Sequence, residues 1–504
     1  MKQMKKTFSL ALVVLAMLGL LSGCNQNGSG TTKKDTITFI SFMRNENFDP
    51  VSGQSIEKTA MHSIFDTLVA FAPDGSIVPM LAESWEESED GLSITFKLRQ
   101  NVKFHNGDTF TADDVIYTFD NMFTQPYYYT VASEFGGYEK IDDYTVQIDK
   151  AAPYSKMLEL LAEYSYIVPK EYHSKNPANF TNAPVGAGPY EFVSLGEDDS
   201  VTLKAFEDYY GDAPGFKNAV IKAPLEPANM VIALETGEAD MLSALPTAQA
   251  SLVEANDELT LVTESGWSCN TVLLMQEPFK SDSNLRKAIF HGVNRENAIM
   301  LGNEGIGTPS VDMLAERIMG EYSGTIKNFT GYDEALAKEY LAKSNYNNEE
   351  LVLTIYGNAP LAESIQSDLN SIGLNIKIEQ LDRNSWSTKL RGGEIQMTIV
   401  ELGGDTLAPA SMMSFFSTAN QNYGCHMASN DEFEQLLSDM PAMRNKSELD
   451  AATTRMFEIA YDMANIVPLF DASFNYSYGS DVIYDCPVSA PTYVFYLARV
   501  MPAK

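Results

Sequence analysis

The chain has 504 residues, of which 44% are hydrophobic and 20% are charged, so it is long enough to bury large cores and to form more than one domain. Its formal net charge of −33 argues against nucleic-acid binding and against charge-driven docking on anionic lipid, because no basic surface is available for phosphates or acidic headgroups.

The first 23 residues have the pattern of a lipoprotein signal peptide. Three lysines precede an apolar run over residues 8–21, which is too short and too one-sidedly flanked for a transmembrane helix. The run ends in Leu-Ser-Gly-Cys at residues 21–24, which resembles the bacterial lipobox, where the chain is cut before an acylated cysteine. We therefore expect lipidation of Cys24, a flexible tether over residues 24–34, and anchoring to the outer face of the bacterial cell membrane.

The four cysteines are Cys24, Cys269, Cys425 and Cys486. No two of them have metal-site spacing. Lipidation of Cys24 would leave three, of which at most two can pair, and the sequence does not choose the pair. The sequence thus predicts no metal site and no cofactor.

The first predicted elements alternate between strand and helix. Thr36–Ile40 and Ser93–Leu98 are predicted strands because they are rich in β-branched and aromatic residues or alternate in polarity. Apolar residues at helical spacing predict a helix over residues 58–71. Asn-Gly within residues 105–108 indicates a hairpin turn, and Thr111 is the expected N-cap of a following helix.

The later elements continue this alternation. Helices are predicted over residues 334–344 and 361–372, and strands over residues 351–356 and 374–378. No repeat of 20–50 residues is visible. The pattern indicates mixed α/β lobes, and because no long linker divides the chain, we expect it to cross between them more than once.

A series of short motifs spans almost the whole chain after the tether and resembles the extracellular solute-binding proteins of ABC importers in the dipeptide, oligopeptide and nickel class, called family 5. Each motif is weak alone, but seven in the family's order make accident very improbable. They are found at residues 79–85 with 90–91, 96–108, 112–115, 186–190, 234–240, 285–295, and 365–386 with 466–469.

The resemblance implies an α/β, two-lobed periplasmic-binding-protein-like fold of type II, in its large cluster C form, with an extra inserted domain. The implied domains are lobe I over residues 35–65, 188–275 and 480–504, the inserted domain over 66–187, and lobe II over 276–479. Ligand would lie between the two lobes, which close over it like a hinged trap.

The same resemblance implies a carboxylate site in lobe II. In relatives that bind peptides, an aspartate after a glycine-rich turn receives the peptide's ammonium group, and here Gly404 and Asp405 match it. An alternative is that Asp405 only caps or turns the chain. The sequence departs from many relatives by having Leu402 where they have tryptophan, and Ala408-Pro409 where they have aspartate-proline. This departure counts against a peptide ligand and against the usual pocket shape.

Further ligand contacts are expected near the cleft, each with an alternative. Trp386 lies where relatives often have an aromatic residue, although it could equally pack in the core of lobe II. The chain should cross between the lobes near Trp267 and Asn270, so hinge and cleft roles are both open. The remaining expected contacts are Ser41 and Phe42, in the loop after the first strand, and Tyr423, in a segment beyond Asp405.

Two histidines have different predicted roles. His426 could be a metal ligand, but a single histidine is more often structural. His105 belongs to the inserted domain and is expected to be structural.

These residues favour a binding protein over an enzyme. The chain has no G-x-S-x-G elbow, no H-E-x-x-H and no P-loop. The expected partners are a small solute, favoured to be a short peptide or another cationic molecule, and an ABC permease with its ATPases; the chain is expected to be a monomer. Nickel chelates, opines and oligosaccharides stay possible ligands, and a sensor or pheromone-receptor lipoprotein would share every feature.

Overall fold

A computed structural model describes most of the chain. The predicted signal peptide and Cys24 lie outside the described residues, as does all of the predicted tether except residue 34. The described ranges are residues 34–44, 47–52, 58–73, 75–153, 156–310, 312–324, 331–403, 408–420, 423–443, 446–484 and 495–503.

Strands occur along the whole described chain. Their bounds are β1 Thr36–Ile40, β2 Val69–Phe71, β3 Ile77–Pro79, β4 Ala82–Glu87, β5 Ser93–Leu98, β6 Phe135–Asp142, β7 Thr145–Lys150, β8 Tyr190–Leu195, β9 Val201–Ala205, β10 Asn218–Lys222, β11 Met241–Leu242, β12 Leu259–Leu274, β13 Thr308–Pro309, β14 Glu350–Ile355, β15 Asn375–Gln380, β16 Met397–Gly403, β17 Ile466–Gly479, β18 Val482–Ile483 and β19 Met501–Pro502.

Helices connect most of these strands. The α-helices are α1 Lys58–Ile64, α2 Ala112–Met122, α3 Tyr129–Ala132, α4 Met157–Tyr164, α5 Lys170–Lys175, α6 Pro227–Glu235, α7 Thr247–Glu254, α8 Ser283–Gly292, α9 Arg295–Gly302, α10 Glu316–Met319, α11 Glu334–Lys343, α12 Ala359–Ser371, α13 Arg383–Arg391, α14 Pro409–Met412, α15 Asp431–Asp439 and α16 Lys446–Met463. Short 3-10 helices are Pro126–Tyr128, Pro177–Asn182, Gly320–Tyr322, Met413–Phe416, Gly424–His426, Met440–Ala442 and Leu497–Arg499.

The largest sheet of the described chain has the strand order β15-β14-β16-β12-β17-β11-β1-β10-β9-β8, and β13 pairs with β17. We call β8–β11 with β1 the first half-sheet, and β14–β16 the second half-sheet. The long antiparallel strands β12 and β17 lie between the halves and pair with each other over most of their length; we call them the spanning strands. The chain therefore passes between the halves along the sheet itself.

Parallel pairing within each half fixes where its strands end. In the first half-sheet β1 is parallel to both β10 and β11. In the second, β14 is parallel to both β15 and β16. The carboxyl ends of neighbouring parallel strands meet at one edge of a sheet, which is where ligands bind in open α/β sheets.

Most of the predicted elements are confirmed, and one is wrong. Strands β1 and β5 have the predicted bounds. Helices α11 and α12 and strands β14 and β15 begin and end within two residues of the prediction. The helix predicted over residues 58–71 is wrong in its second part, because α1 ends at Ile64 and residues 69–71 form β2, which pairs with β3.

The segment predicted as a hairpin turn and helix start lies beside a separate four-stranded sheet of order β4-β5-β7-β6. The Phe104 amide donates to the Asp108 carbonyl at 2.9 Å, and Gly107 has a φ of +88°, a region that glycine adopts at no steric cost. The Thr111 amide then donates to the Asp114 carboxylate at 2.8 Å, so the predicted helix start is confirmed.

The hydrophobic core follows both half-sheets. One cluster of buried apolar side chains extends from Ile37 in β1 to Val500, and a smaller one packs α6 and α7 against β1 and β11 around Ile40 and Val253. Among the described residues, none of the helices has both the length and the apolar character needed to cross a bilayer.

Candidate functional site

The spanning strands are interrupted where the carboxyl edges of the two half-sheets face each other. Ser265 pairs with Ser473 and Cys269 pairs with Asp471, so residues 266–268 lie opposite a single residue of β17. We call residues 266–268 the bulge. Bulges bend and twist a strand, and this one lies between the parts of β12 that belong to the two halves.

The register directs both carboxyl edges toward the bulge. In β16, Gly403 pairs with Ser268 of the bulge, whereas the start of that strand pairs with Leu274 at the far end of β12. In β11, the chain runs antiparallel to β17 from its partner Tyr478 toward Ser477. The residues that follow β1, β11, β14 and β16 therefore lie on the bulge side of the sheet.

Trp267 occupies the centre of the bulge and is half-buried. Its indole Nε1 is buried, and no acceptor for it is found within the described part of the chain. The Arg317 guanidinium lies over its ring at 5.7 Å from the ring centroid and pairs with the Glu264 carboxylate at 2.9 Å. Trp267, which is predicted near a crossing between lobes, thus lies in the part of β12 between its pairings with the two halves of the sheet.

A polar group lies beside Trp267, on the two strands that meet at the bulge. Asn270 is the pairing partner of Glu401 in β16, and the Ser268 hydroxyl donates to the Glu401 carboxylate. Glu401 is exposed, whereas the side chain of Leu402 is 5% exposed and packs in the core. The strand therefore presents Glu401, not Leu402, to solvent.

Close backbone contact fixes the end of β16. Gly403 has a φ of +132°, and a Cβ atom built there would lie 2.2 Å from the Trp267 carbonyl oxygen. Only glycine fits this position. Gly404 and Asp405, the predicted ammonium site, lie in residues 404–407, outside the described residues.

Aromatic side chains form one wall at the carboxyl edge of the second half-sheet. Trp386 is 8% exposed, and its indole Nε1 donates to the Thr398 hydroxyl at 2.9 Å. The Tyr356 ring, which directly follows β14, packs against it with centroids 4.6 Å apart and is 42% exposed. Tyr423 packs against Phe415 at 6.3 Å, and burial, with a smaller contribution from Tyr356, raises its pKa.

The carboxyl edge of the first half-sheet carries the loop after β1. The Ser41 amide donates to the Lys222 carbonyl at 3.0 Å, and its side chain is buried, with the hydroxyl accepting from the Met43 amide at 3.1 Å. Phe42 is 37% exposed. Of this predicted pair, Phe42 is the one whose side chain is open to solvent.

His426, the candidate metal ligand, and His105, predicted to be structural, both have protein partners. His426 Nδ1 lies 3.3 Å from Gln276 Nε2, and the described residues contain no group of three or more metal-ligating side chains. His105 Nε2 lies 2.9 Å from the Gly188 carbonyl oxygen, and burial lowers the pKa of His105 to about 4.

The described cysteines are free thiols. Cys269 is fully buried in β12, and burial raises its pKa to about 12. Cys425 is half-buried. Cys24 and Cys486 lie outside the described residues.

The sequence did not point to Tyr356, Glu401 or Arg317. Tyr356 had one signal, because it ends a predicted strand just before Gly357-Asn358. The position of Glu401 could have been read from alternation along β16. Arg317 lies in a four-residue helix and gave no signal.

A mixed α/β sheet whose halves end at interrupted spanning strands is the architecture of two-lobed binding proteins. A solved structure of an ABC transporter substrate-binding protein from Listeria monocytogenes matches with a TM-score of 0.83 at 19% identity, covering 94% of this chain and 100% of that one. The predicted fold class is therefore confirmed.

Sequence comparison identifies the family. The sequence model of the bacterial extracellular solute-binding proteins, family 5, matches residues 76–424. Di/tripeptide-binding protein 2 of Pseudomonas aeruginosa is 28% identical over 75% of this chain and 77% of its own length. Heme-binding protein A of Haemophilus influenzae is 26% identical over 92% of each chain.

The chain belongs to family 5 of the bacterial extracellular solute-binding proteins, the substrate-binding proteins of ABC importers in the dipeptide, oligopeptide and nickel class. The resemblance found in its motifs is thereby confirmed.

Proposed function

We propose that this chain is a lipid-anchored binding protein that captures a short peptide at the bulge, between the two half-sheets, and delivers it to a membrane permease without chemical change. The observation that carries the proposal is that the carboxyl edges of both half-sheets face the same interruption of the spanning strands. Di/tripeptide-binding relatives support a peptide.

The proposed contacts come from both halves. Asp405, with Gly404 before it, receives the ammonium group, because a carboxylate in a closed site holds a cation by charge and hydrogen bonds. Trp267 and Asn270 form the floor, and the buried Nε1 of Trp267 donates to the ligand. Phe42 and the backbone of Ser41 close the site from the first half-sheet, and Tyr423 provides a further contact from the second. Leu402 and Trp386, which are 5% and 8% exposed, shape the strand end and the wall from behind.

Mass spectrometry of ligand carried through purification tests this proposal, followed by a thermal-shift screen of dipeptides, heme, nickel chelates and oligosaccharides. A ligand at 100 times its Kd should stabilise the folded protein by about 2.7 kcal/mol. Recovery of heme, a metal chelate or a sugar instead of peptide would contradict the peptide assignment, and turnover of the bound molecule would contradict the binding role.

The carboxylate role is tested separately. Asp405→Asn should weaken binding of Ala-Phe by tenfold or more, because a charge-assisted hydrogen bond is worth about 1.5–3 kcal/mol. Asp257→Asn is the matched control, since Asp257 is an exposed carboxylate in the turn before β12. Equal affinities of the two variants would show that Asp405 only shapes its turn.

The anchor is tested at Cys24. Cys24→Ser should move the protein from the membrane fraction to the medium or periplasm, because one residue would carry the acyl chains. Unchanged membrane association would contradict lipidation.

A further inference from the structure

The exposed aromatic ring at the second half-sheet belongs to Tyr356. Trp386, which the sequence suggested for ligand contact, is 8% exposed, whereas Tyr356 in front of it is 42% exposed. Their ring centroids are 4.6 Å apart with an interplanar angle of 53°. The tryptophan therefore lies behind the tyrosine, which has its other side open to solvent.

Trp386 is itself fixed from two directions, so it gives Tyr356 a rigid support. Its Nε1 donates to the Thr398 hydroxyl of β16 at 2.9 Å. It lies in α13, whose first turn is capped by the Asp382 carboxylate accepting from the Asn384 and Ser385 amides. Because Trp386 is held in place, the Tyr356 ring packed against it offers a flat apolar surface that needs little further ordering when a ligand binds. This keeps the entropic cost of binding low.

The position of Tyr356 places this ring at the proposed site. Tyr356 follows the last residue of β14, and Thr354 of β14 pairs with Thr398 of β16. Three residues beyond Thr398 is Glu401, which accepts from Ser268 of the bulge. Tyr356 thus lies on the carboxyl edge that carries Glu401 and Gly403.

We propose that Tyr356 is a specificity-determining residue that stacks on a flat apolar group of the ligand, and that Trp386 positions Tyr356 rather than touching the ligand itself. The inference rests on the proposed function and deepens it: the preferred peptides carry an aromatic side chain.

A tyrosine elsewhere in the second half of the chain provides a matched control. Tyr332, which precedes α11, is 43% exposed, and within the described part of the chain no aromatic ring packs against it. A substitution at Tyr332 removes a tyrosine of similar exposure to Tyr356 but leaves the carboxyl edge of the second half-sheet unchanged.

The experiment measures dissociation constants by calorimetry on protein stripped of ligand by unfolding and refolded. The probes are the matched pairs Ala-Phe with Ala-Leu, and Phe-Ala with Leu-Ala, which differ in ring character at similar apolarity. We expect the wild type to prefer the phenylalanine member of one pair by about 2- to 12-fold, the range that aromatic pairing contributes beyond area burial.

The variants assign the preference to a residue. Tyr356→Leu should reduce the preference to about 1, Tyr356→Phe should retain it, and Tyr332→Leu should leave it unchanged. Trp386→Leu should reduce it partly, because the support is lost, and thermal unfolding confirms that each variant is folded.

The outcomes separate this inference from the function on which it rests. A wild type that binds the dipeptides without aromatic preference, or a Tyr356→Leu variant that keeps the preference, overturns the role of Tyr356 and leaves peptide binding standing. A wild type that binds none of the four dipeptides overturns the peptide assignment and the aromatic preference together.

Discussion

Adding a single methyl group at Gly403 should be strongly destabilising, because this residue touches the bulge through its backbone. The added Cβ would lie 2.2 Å from the Trp267 carbonyl oxygen and 2.8 Å from the Ser268 Cα. Both are backbone atoms, so neither can move away without separating β12 from β16. The φ of +132° adds strain for any residue that has a Cβ.

The expected cost of Gly403→Ala follows from these two effects. Unfavourable backbone conformations cost about 1–3 kcal/mol, and overpacking costs about 1–3 kcal/mol. The free energy of unfolding should therefore fall by about 2–6 kcal/mol in urea denaturation followed by tryptophan fluorescence. Gly137→Ala is the control, because a Cβ there meets only the Asp149 carboxylate at 3.6 Å and should change stability by less than about 1 kcal/mol.

The same substitution should also affect binding, because residue 403 directly precedes the predicted Gly404-Asp405 turn. Under conditions where Gly403→Ala is folded, the rise in melting temperature caused by a bound dipeptide should be smaller than in Gly137→Ala. Equal free energies of unfolding for the two variants would refute the packing argument, and equal ligand-induced shifts would refute the link between this backbone contact and the site.

Three other predictions follow from buried and paired groups. Burial raises the pKa of Asp66 to about 7 from 3.8, so the folded state holds a proton that the unfolded state releases. The free energy of unfolding should therefore fall between pH 4 and 7 by up to about 1.4 kcal/mol per pH unit. Asp66→Asn should flatten this slope when unfolding is measured across that range. Cys269 is buried and its pKa is raised to about 12, so it should resist iodoacetamide at pH 8 in the native protein while the half-buried Cys425 reacts. Equal labelling of both cysteines in peptide mapping would contradict this. A double-mutant cycle of Glu264→Gln with Arg317→Gln should give a coupling of about 0.5–1 kcal/mol, kept low by partial exposure and decreasing with salt, and a coupling of zero would show that the pair contributes nothing.

Local patterns predicted the elements that have one buried face. Strands β1 and β5 were found because strand character and alternation are visible in their residues, and α11 and α12 because their apolar positions repeat every three or four residues. Residues 69–71 fall within the predicted helix because apolar residues keep helical spacing up to that point, although the segment forms the fully buried strand β2. Their pairing with β3 is set by a partner across the turn, which local spacing does not reveal.

The site was predictable only in part, because the sequence names residue types and not their exposure. The resemblance predicts that the chain crosses between the lobes near Trp267 and Asn270, and in the structure these residues lie in β12 at or next to the bulge. Trp386 and Tyr356 are both aromatic residues of the same wall, and their order in space depends on how α13 packs on β14 and β16. That order is tertiary information.

The charges beside the bulge differ in a way that bears on the ligand. The Glu264 carboxylate is offset by the Arg317 guanidinium at 2.9 Å. Glu401 accepts the Ser268 hydroxyl, and within the described residues no cation pairs with it. A hydroxyl donor stabilises a carboxylate but does not neutralise it, so a negative charge is left at the carboxyl edge, four residues before Asp405. A ligand with a positive group would offset this charge as the site closes, whereas an anionic ligand would meet repulsion that rises as water leaves. The acidic edge thus supports the proposed ammonium contact for an electrostatic reason that is independent of the family resemblance.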